Sequence, residues 1–295
     1  MFVDRLMLNT VMIITSHNKL KNYLETDLKN SISLGFVPTM GALHDGHITL
    51  MQEAISQCDF LVVSIFVNPT QFDNKSDLQK YPRNITQDVE FIKQHIDPKK
   101  LVVYAPETDD VYGNNPIAKK YGYDGLEQVM EGANRLGHFD GVGTILEFLF
   151  TIIKPDKAFF GEKDFQQLQI VKKLVEKLKL DIEIVGCPIK REAHGLAMSS
   201  RNERLTTDGR NKAALIYETL QKAAVYFKDH SIYKTQKFVE ETFLNYPEFN
   251  LEYFTIASEE TLKPVKRKYK NHLYRGFIVV HLEGVRLIDN IALPH

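Results

Sequence analysis

Two histidines three residues apart, His44 and His47, lie within Pro38-Thr39-Met40-Gly41-Ala42-Leu43-His44-Asp45-Gly46-His47. A short apolar run, Leu34-Gly35-Phe36-Val37, precedes this segment, and Ile48, Met51, Ala54 and Ile55 follow it at helical spacing. Strand, turn and helix in that order place helix-start amides at the carboxyl end of a strand. Unpaired N–H groups and the helix dipole there favour an anion, typically phosphate. Gly41 and Gly46 would let backbone approach a nucleotide closely. His44 and His47 could both reach one phosphate and offset charge developing on it. The competing readings are a glycine-rich turn with two ordinary histidines, or half of a metal site. Zinc would need further ligands, and no His or Cys follows at ligand-like spacing.

A second constellation, Phe160-Gly161-Glu162-Lys163-Asp164-Phe165-Gln166-Gln167, repeats the order of strand, glycine, polar turn and helix. Lys163 would sit at a strand's carboxyl end, where a cation can grip phosphates. Asp164 is placed to cap the following helix, and Gln167 lies in its first turn, able to hydrogen-bond a polar substrate. The third, Gly195-Leu196-Ala197-Met198-Ser199-Ser200-Arg201, is a small-residue loop ending in hydroxyls and a cation. It suits closure over polyphosphate, with Arg201 meeting oxyanions, and it suits a surface loop capping the next helix equally well. Taken together, the three segments point to an adenylate-forming nucleotidyl transferase.

The elements that must position these residues alternate. Leu61-Val62-Val63-Ser64-Ile65-Phe66-Val67 is a β-branched run of fully buried type that stops at Asn68-Pro69. Leu101 to Tyr104 follows a helical stretch around Val89, Ile92 and Ile96. Lys157 to Phe160 precedes a helix bearing Phe165, Leu168, Val171, Leu174 and Leu178, and Ile182 to Val185 closes the unit. This alternation predicts an α/β fold, a Rossmann-like parallel sheet with helices on both faces, over residues 1–189. Beyond it, a helical region near Ala213 to Phe227 leads to strands at Glu252–Ile256, Phe277–Leu282 and Val285–Ile288. The last two are separated by Glu283-Gly284, an antiparallel hairpin signal. A smaller α+β domain is expected over 190–295, carrying the Met198–Arg201 loop as a lid.

The 295 residues suffice for two such domains. Lys plus Arg number 37 against 38 Asp plus Glu, which argues against a broad nucleic-acid-binding surface. Cys58 and Cys187 read as two buried thiols of a reducing compartment. The apolar run Thr144–Ile153 is too short to span a bilayer, and the first residues lack a cleavage pattern. A cytoplasmic protein with no membrane partner is expected.

His44-Asp45-Gly46-His47 resembles the histidine signature of the nucleotidylyltransferase and class I aminoacyl-tRNA synthetase superfamily. Met198-Ser199-Ser200-Arg201 resembles its second, mobile phosphate-binding motif. Within that superfamily the chain resembles the pantothenate synthetase family from about Met12 to Asn290. The resemblance is carried by Pro38–Gly41, Phe66-Val67-Asn68-Pro69-Thr70-Gln71-Phe72, Tyr81-Pro82-Arg83, Phe160–Asp164 and Arg286-Leu287-Ile288-Asp289-Asn290. It implies ligation of pantoate to β-alanine with ATP and Mg²⁺, through a pantoyl adenylate, in a homodimer.

By the same resemblance, Met40, Gly41, Ala42, Leu43, His44, Asp45, Gly46 and His47 line the ATP site, with His47 the general acid and His44 beside it at the α-phosphate. Gly161, Glu162, Lys163 and Asp164 hold ATP, with Lys163 on phosphate, and Lys190 contacts adenine through its backbone. Met198, Ser199, Ser200 and Arg201 close over the phosphates, and Gln71 and Gln167 bind pantoate. Leu136 stands where the family often has Pro, and Asp140 where a cation is common. Residues before Met12 form an extension without expected chemistry. A dinucleotide-forming nucleotidyltransferase is disfavoured by Asn68–Phe72, and a tRNA-dependent synthetase by the short carboxyl-terminal region. A non-enzymatic nucleotide sensor is the remaining alternative, which pantoate-dependent exchange of ATP would exclude.

Overall fold

The structure is a computed structural model that describes residues 10–28, 32–72, 78–79 and 81–294. Most of the leading extension, residues 1–9, therefore lies outside the described residues. The chain divides into two compact units: residues 1–162 with 167–187, and residues 163–166 with 188–295. The short segment Lys163–Gln166, which the sequence pattern assigns to the first domain, groups with the second unit.

The first unit is built on six parallel strands: β1 (Met12–Ile14), β2 (Leu34–Thr39), β3 (Phe60–Ile65), β4 (Leu101–Tyr104), β5 (Lys157–Gly161) and β6 (Glu183–Cys187). Their order in the sheet is β1-β4-β3-β2-β5-β6. From β2 the chain winds outward through β3 and β4, then returns to the other side of β2 for β5 and β6. The winding therefore reverses between β2 and β5, and an open parallel sheet binds ligands outside its strand ends at such a point. Leu61, Val62 and Val63 of β3 are fully buried, as a strand covered on both faces requires. The helix Asp45–Gln57 buries Ile48, Met51 and Ala54 against the sheet, the spacing its sequence showed. The apolar run near Thr144 belongs to the helix His138–Ile153. No helix among the described residues is long and apolar enough to cross a membrane.

The second unit holds an antiparallel sheet in the order β7 (Phe249–Ser258), β8 (Tyr274–Leu282), β9 (Val285–Leu293). Glu283 and Gly284 join β8 to β9 with both φ angles positive, 51° and 74°, the geometry of a tight two-residue hairpin. The helices Ala214–Asp229 and Ile232–Leu244 contribute Ile216, Leu220, Phe227, Val239 and Phe243 to one core with Ile256, Ile278 and Val280 of the sheet. Both cysteines are free and buried, and burial pushes the Cys187 thiol up to about 11.

Candidate active site

β2 ends at Thr39, and the helix beginning at Asp45 starts shortly after it, so the histidine segment leaves the sheet beside the β2–β5 switch point. His44 is the helix N-cap, with extended backbone. Its Nδ1 accepts the Gly46 N–H at 3.1 Å, and the His47 Nδ1 accepts the His44 N–H at 3.2 Å. The two rings lie 4.1 Å apart between centroids. An Nδ1 that accepts an N–H carries no proton, so each neutral ring holds its proton on Nε2. The pair can therefore donate to an oxyanion through Nε2 without becoming charged.

Several amides of the segment leading into the helix already have partners within the protein. Gly41 N–H donates to Thr39 Oγ1 at 3.3 Å, and the amides of Ala42 and Leu43 donate to the Asp88 carboxylate at 3.2 and 2.8 Å. With Gly46 and His44 occupied by the histidine rings, most of the loop's donors are satisfied from within. The reason is that buried N–H groups need partners before any ligand arrives, and the protein supplies them. The Ala42 and Leu43 amides are thus held by Asp88, and those of His44 and Gly46 by the two histidine rings.

Gly41 also packs closely against Asp88. Its φ is +82°, and a Cβ there would fall 2.9 Å from Asp88 Oδ2. The left-handed φ favours glycine here, and a side chain would in addition press on the Asp88 carboxylate. Ala42 follows at φ 51°, a left-handed conformation costing a non-glycine residue roughly 1–2 kcal/mol. Asp88 sits in the first turn of the helix Ile85–Lys93 and is 5% exposed. Burial pushes its carboxyl above the usual range, while the Leu43 and Ala42 amides pull it back.

Gln71 closes the turn Pro69–Gln71 that follows β3. Its Oε1 accepts from Asn68 Nδ2 at 3.0 Å and its Nε2 donates to Met40 Sδ at 2.8 Å, so the side chain is oriented toward the end of β2. Asn68 is 1% exposed and fully engaged. Its Nδ2 also donates to the Gly141 carbonyl at 3.1 Å, and its Oδ1 accepts from Thr70 and from the Tyr112 hydroxyl. His138 Nδ1 binds the Gln71 carbonyl at 2.7 Å and faces Arg135 through Nε2 at 3.2 Å. Gln71 is thus held from both its side chain and its backbone. Asp140, where a cation was expected, pairs with Lys120 at 2.8 Å and accepts the Tyr121 N–H, which brings a cation to that loop from elsewhere. Leu136 is exposed. Gln167 is half-buried near the start of the helix Phe165–Leu178, and Gly161 and Glu162 lie at the end of β5 and directly after it.

Within the second unit, Lys163 and Asp164 end a single 3-10 turn. The Lys163 carbonyl accepts from Asn290 Nδ2 at 2.9 Å, and Asn290 Oδ1 accepts from Arg275 at 2.7 Å. Arg275 lies over the Phe165 ring at 3.9 Å and binds Glu259. The neighbouring Asp289 receives a bidentate contact from Arg191, at 2.6 and 3.0 Å, and Arg191 is stacked on Tyr217. The Asp289-Asn290 dipeptide therefore anchors the turn holding Lys163 and, through Arg191, the chain beside Lys190. The Lys190 carbonyl accepts the Met198 N–H at 3.0 Å, closing the base of the loop. Ser199 caps the short turn Ser200–Arg204 by accepting from Arg201 N–H, so the capping role weighed for this loop is real. A small cavity of this unit is lined by Lys163, Ser199, Arg201, Asn202, Arg286 and Asp289.

Sequence reasoning assigned no role to Asn68, Asp88, His138, Arg275 or Asn290. Asn68 and Asn290 stood inside segments that carried the resemblance. Asp88 had no local signal, since its partners lie 45 and 46 positions away.

The sheet order, its switch point and the histidine-capped helix define a doubly wound α/β protein of the nucleotide-binding type. The family model for pantoate-beta-alanine ligase matches residues 12–292, and the chain belongs to that family of enzymes, ligases that form pantothenate. A pantothenate synthetase of Flavobacterium psychrophilum is 53% identical over 283 residues, covering 96% of this chain and 100% of its own. The crystal structure of a Thermus thermophilus pantothenate synthetase superimposes with a TM-score of 0.86 at 34% identity, over 96% of this chain and 100% of that one. The Francisella tularensis pantoate-beta-alanine ligase, solved in complex with beta-gamma ATP and beta-alanine, gives 0.75 at 32%, over 96% and 98%.

Proposed function

We propose that this enzyme joins pantoate to β-alanine in two steps through a pantoyl adenylate. A carboxylate is a poor acyl donor, so a leaving group must be made first. One pantoate carboxylate oxygen attacks the α-phosphorus of ATP in line, forming the mixed anhydride and releasing pyrophosphate. The unprotonated amine of β-alanine then attacks the acyl carbon, giving pantothenate and AMP with loss of the amine proton. The observation that carries this reading is the pair of reciprocally capped histidines, in which each Nδ1 accepts a backbone N–H and leaves a neutral ring's proton on Nε2, a donor suited to an oxyanion.

In this reading Met40 to His47 and Gly161 to Asp164 bind ATP, with Lys163 on phosphate. Lys190 meets adenine through its backbone, and Met198, Ser199, Ser200 and Arg201 meet the phosphates. Gln71 and Gln167 bind pantoate, Gln71 with its amide already fixed by Asn68. The ATP and β-alanine bound to the Francisella enzyme support the choice of substrates. Among the described residues no group of three or more His, Cys, Asp or Glu side chains is placed to hold a metal ion. Mg²⁺ is assigned to the triphosphate as MgATP, the usual way this ion meets a phosphate site. A homodimer in the cytoplasm completes the proposal, supported by the family resemblance alone.

Exchange of label between pyrophosphate and ATP tests it. Exchange should require pantoate and Mg²⁺ and proceed without β-alanine, because adenylation is a complete half-reaction. Exchange seen only after β-alanine is added would overturn the two-step order.

A further inference from the structure

We infer that Asp88 is a positioning residue for this reaction, an internal anion that fills the amide nest of the Gly41–Leu43 loop and so fixes where His44 and His47 present their rings. The inference rests on the proposed adenylation. Three residues separate Met40 from the His44 N-cap, and they belong to no helix or strand. Two of them, Gly41 and Ala42, have positive φ, which turns the successive N–H groups of Ala42 and Leu43 toward one point. Such a nest is built to hold an anion. Here the anion is the protein's own carboxylate, at 3.2 and 2.8 Å from those two nitrogens.

Three features separate this from an ordinary buried ion. Asp88 comes from a different helix, Ile85–Lys93, so the loop's conformation depends on a distant segment rather than on local preference. Gly41 is shaped to the carboxylate, since any Cβ would press on Oδ2. The residue after the nest is His44, whose backbone N–H and ring form the cap with His47 and Gly46. A nest already filled also denies a phosphate these two backbone contacts, so that within this segment the histidines are left to meet it.

Asp88→Ala and Asp88→Asn should be compared in pantoate-dependent ATP–pyrophosphate exchange, with KM for ATP and the melting temperature measured on the same samples. The expected result is a kcat lowered about 10- to 100-fold in both, with the variants folded at the assay temperature, because small misplacement of catalytic groups costs that much. Sodium formate, which fits the space vacated in Asp88→Ala, should restore its rate several-fold. It should leave the parent and Asp88→Asn unaltered, and chloride at the same ionic strength should do nothing. A carboxylate that only supports the fold would give losses that follow the unfolded fraction and ignore formate. That result, or exchange within about twofold of the parent in both variants, overturns the inference. A parent enzyme that shows no exchange at all would instead defeat the adenylation reading itself.

Discussion

Gly141→Ala should damage pantoate use by moving a turn that the added methyl touches directly. A Cβ at Gly141 falls 2.3 Å from the Thr70 carbonyl oxygen and 2.6 Å from Gln71 N, and both are backbone atoms that cannot swing aside. Restoring ordinary van der Waals contact requires the helix His138–Ile153 and the turn Pro69–Gln71 to part by about 1 Å. That separation also strains the bonds from Asn68 Nδ2 to the Gly141 carbonyl and from His138 Nδ1 to the Gln71 carbonyl. Overpacking of this kind costs ~1–3 kcal/mol of stability. A displacement of about 1 Å at a substrate-orienting group costs roughly 10²-fold in rate. The expected variant is folded, melts at lower temperature, and loses about 10²-fold in kcat/KM for pantoate. KM for ATP should change far less. Gly122→Ala is the control, since a Cβ there meets nothing within 4 Å and its φ is ordinary. Parent-like pantoate dependence and melting in Gly141→Ala would refute the claim that this contact sets the position of Gln71.

His44→Ala and His47→Ala should each slow single-turnover adenylation by ~10²–10³, whereas His44→Asn, which can still cap the helix, should lose the rate while keeping nearly the parent melting temperature. Asn290→Ala removes the donor to the Lys163 carbonyl and an acceptor of Arg275. It should cost ~1–3 kcal/mol in denaturant unfolding and slow adenylation, with parent-like exchange showing that the anchor is dispensable. The Arg286 hydrogen bonds hold the Glu252 carboxyl below its ordinary value against partial burial, with His281 adding to the effect. A carboxyl lowered by folding stabilises above its unfolded pKa and loses that contribution as pH falls through the folded one. The stability gap between the parent and Glu252→Gln should thus be wide above the ordinary carboxylate range and close as pH falls below it in urea titrations. A gap that is constant with pH would contradict it.

How much was legible from sequence follows from the range of the interactions involved. β2, β3 and β5 and the helix at Asp45 were readable because apolar periodicity is local, and the Glu283-Gly284 hairpin because two left-handed residues demand it. The edge strand Met12–Ile14 was not, since two of its three residues are exposed and it lacks a buried pattern. The histidine pair was visible, but its chemistry was read incompletely. Spacing shows that His44 and His47 share a helix face, while their Nδ1 contacts with backbone are set by cap geometry. Asp88 and the Arg191–Asp289 pair depend on contacts across 45 to 98 positions, which no local pattern reports. The Gln71 amide was placed by its turn, and Asn68, the residue that aims it, became apparent only through its contacts with Thr70, Tyr112 and Gly141.

The adenylate is tested most directly by following oxygen. Pantoate labelled with ¹⁸O in its carboxylate is turned over with ATP and β-alanine, and the AMP and pantothenate are analysed by mass spectrometry. Attack of the carboxylate on the α-phosphorus, followed by amine attack on the acyl carbon, leaves one labelled oxygen on the phosphate of AMP and the other in the pantothenate amide carbonyl. Label appearing in pyrophosphate or orthophosphate, with AMP or ADP unlabelled, would place the attack on another phosphorus and contradict the account.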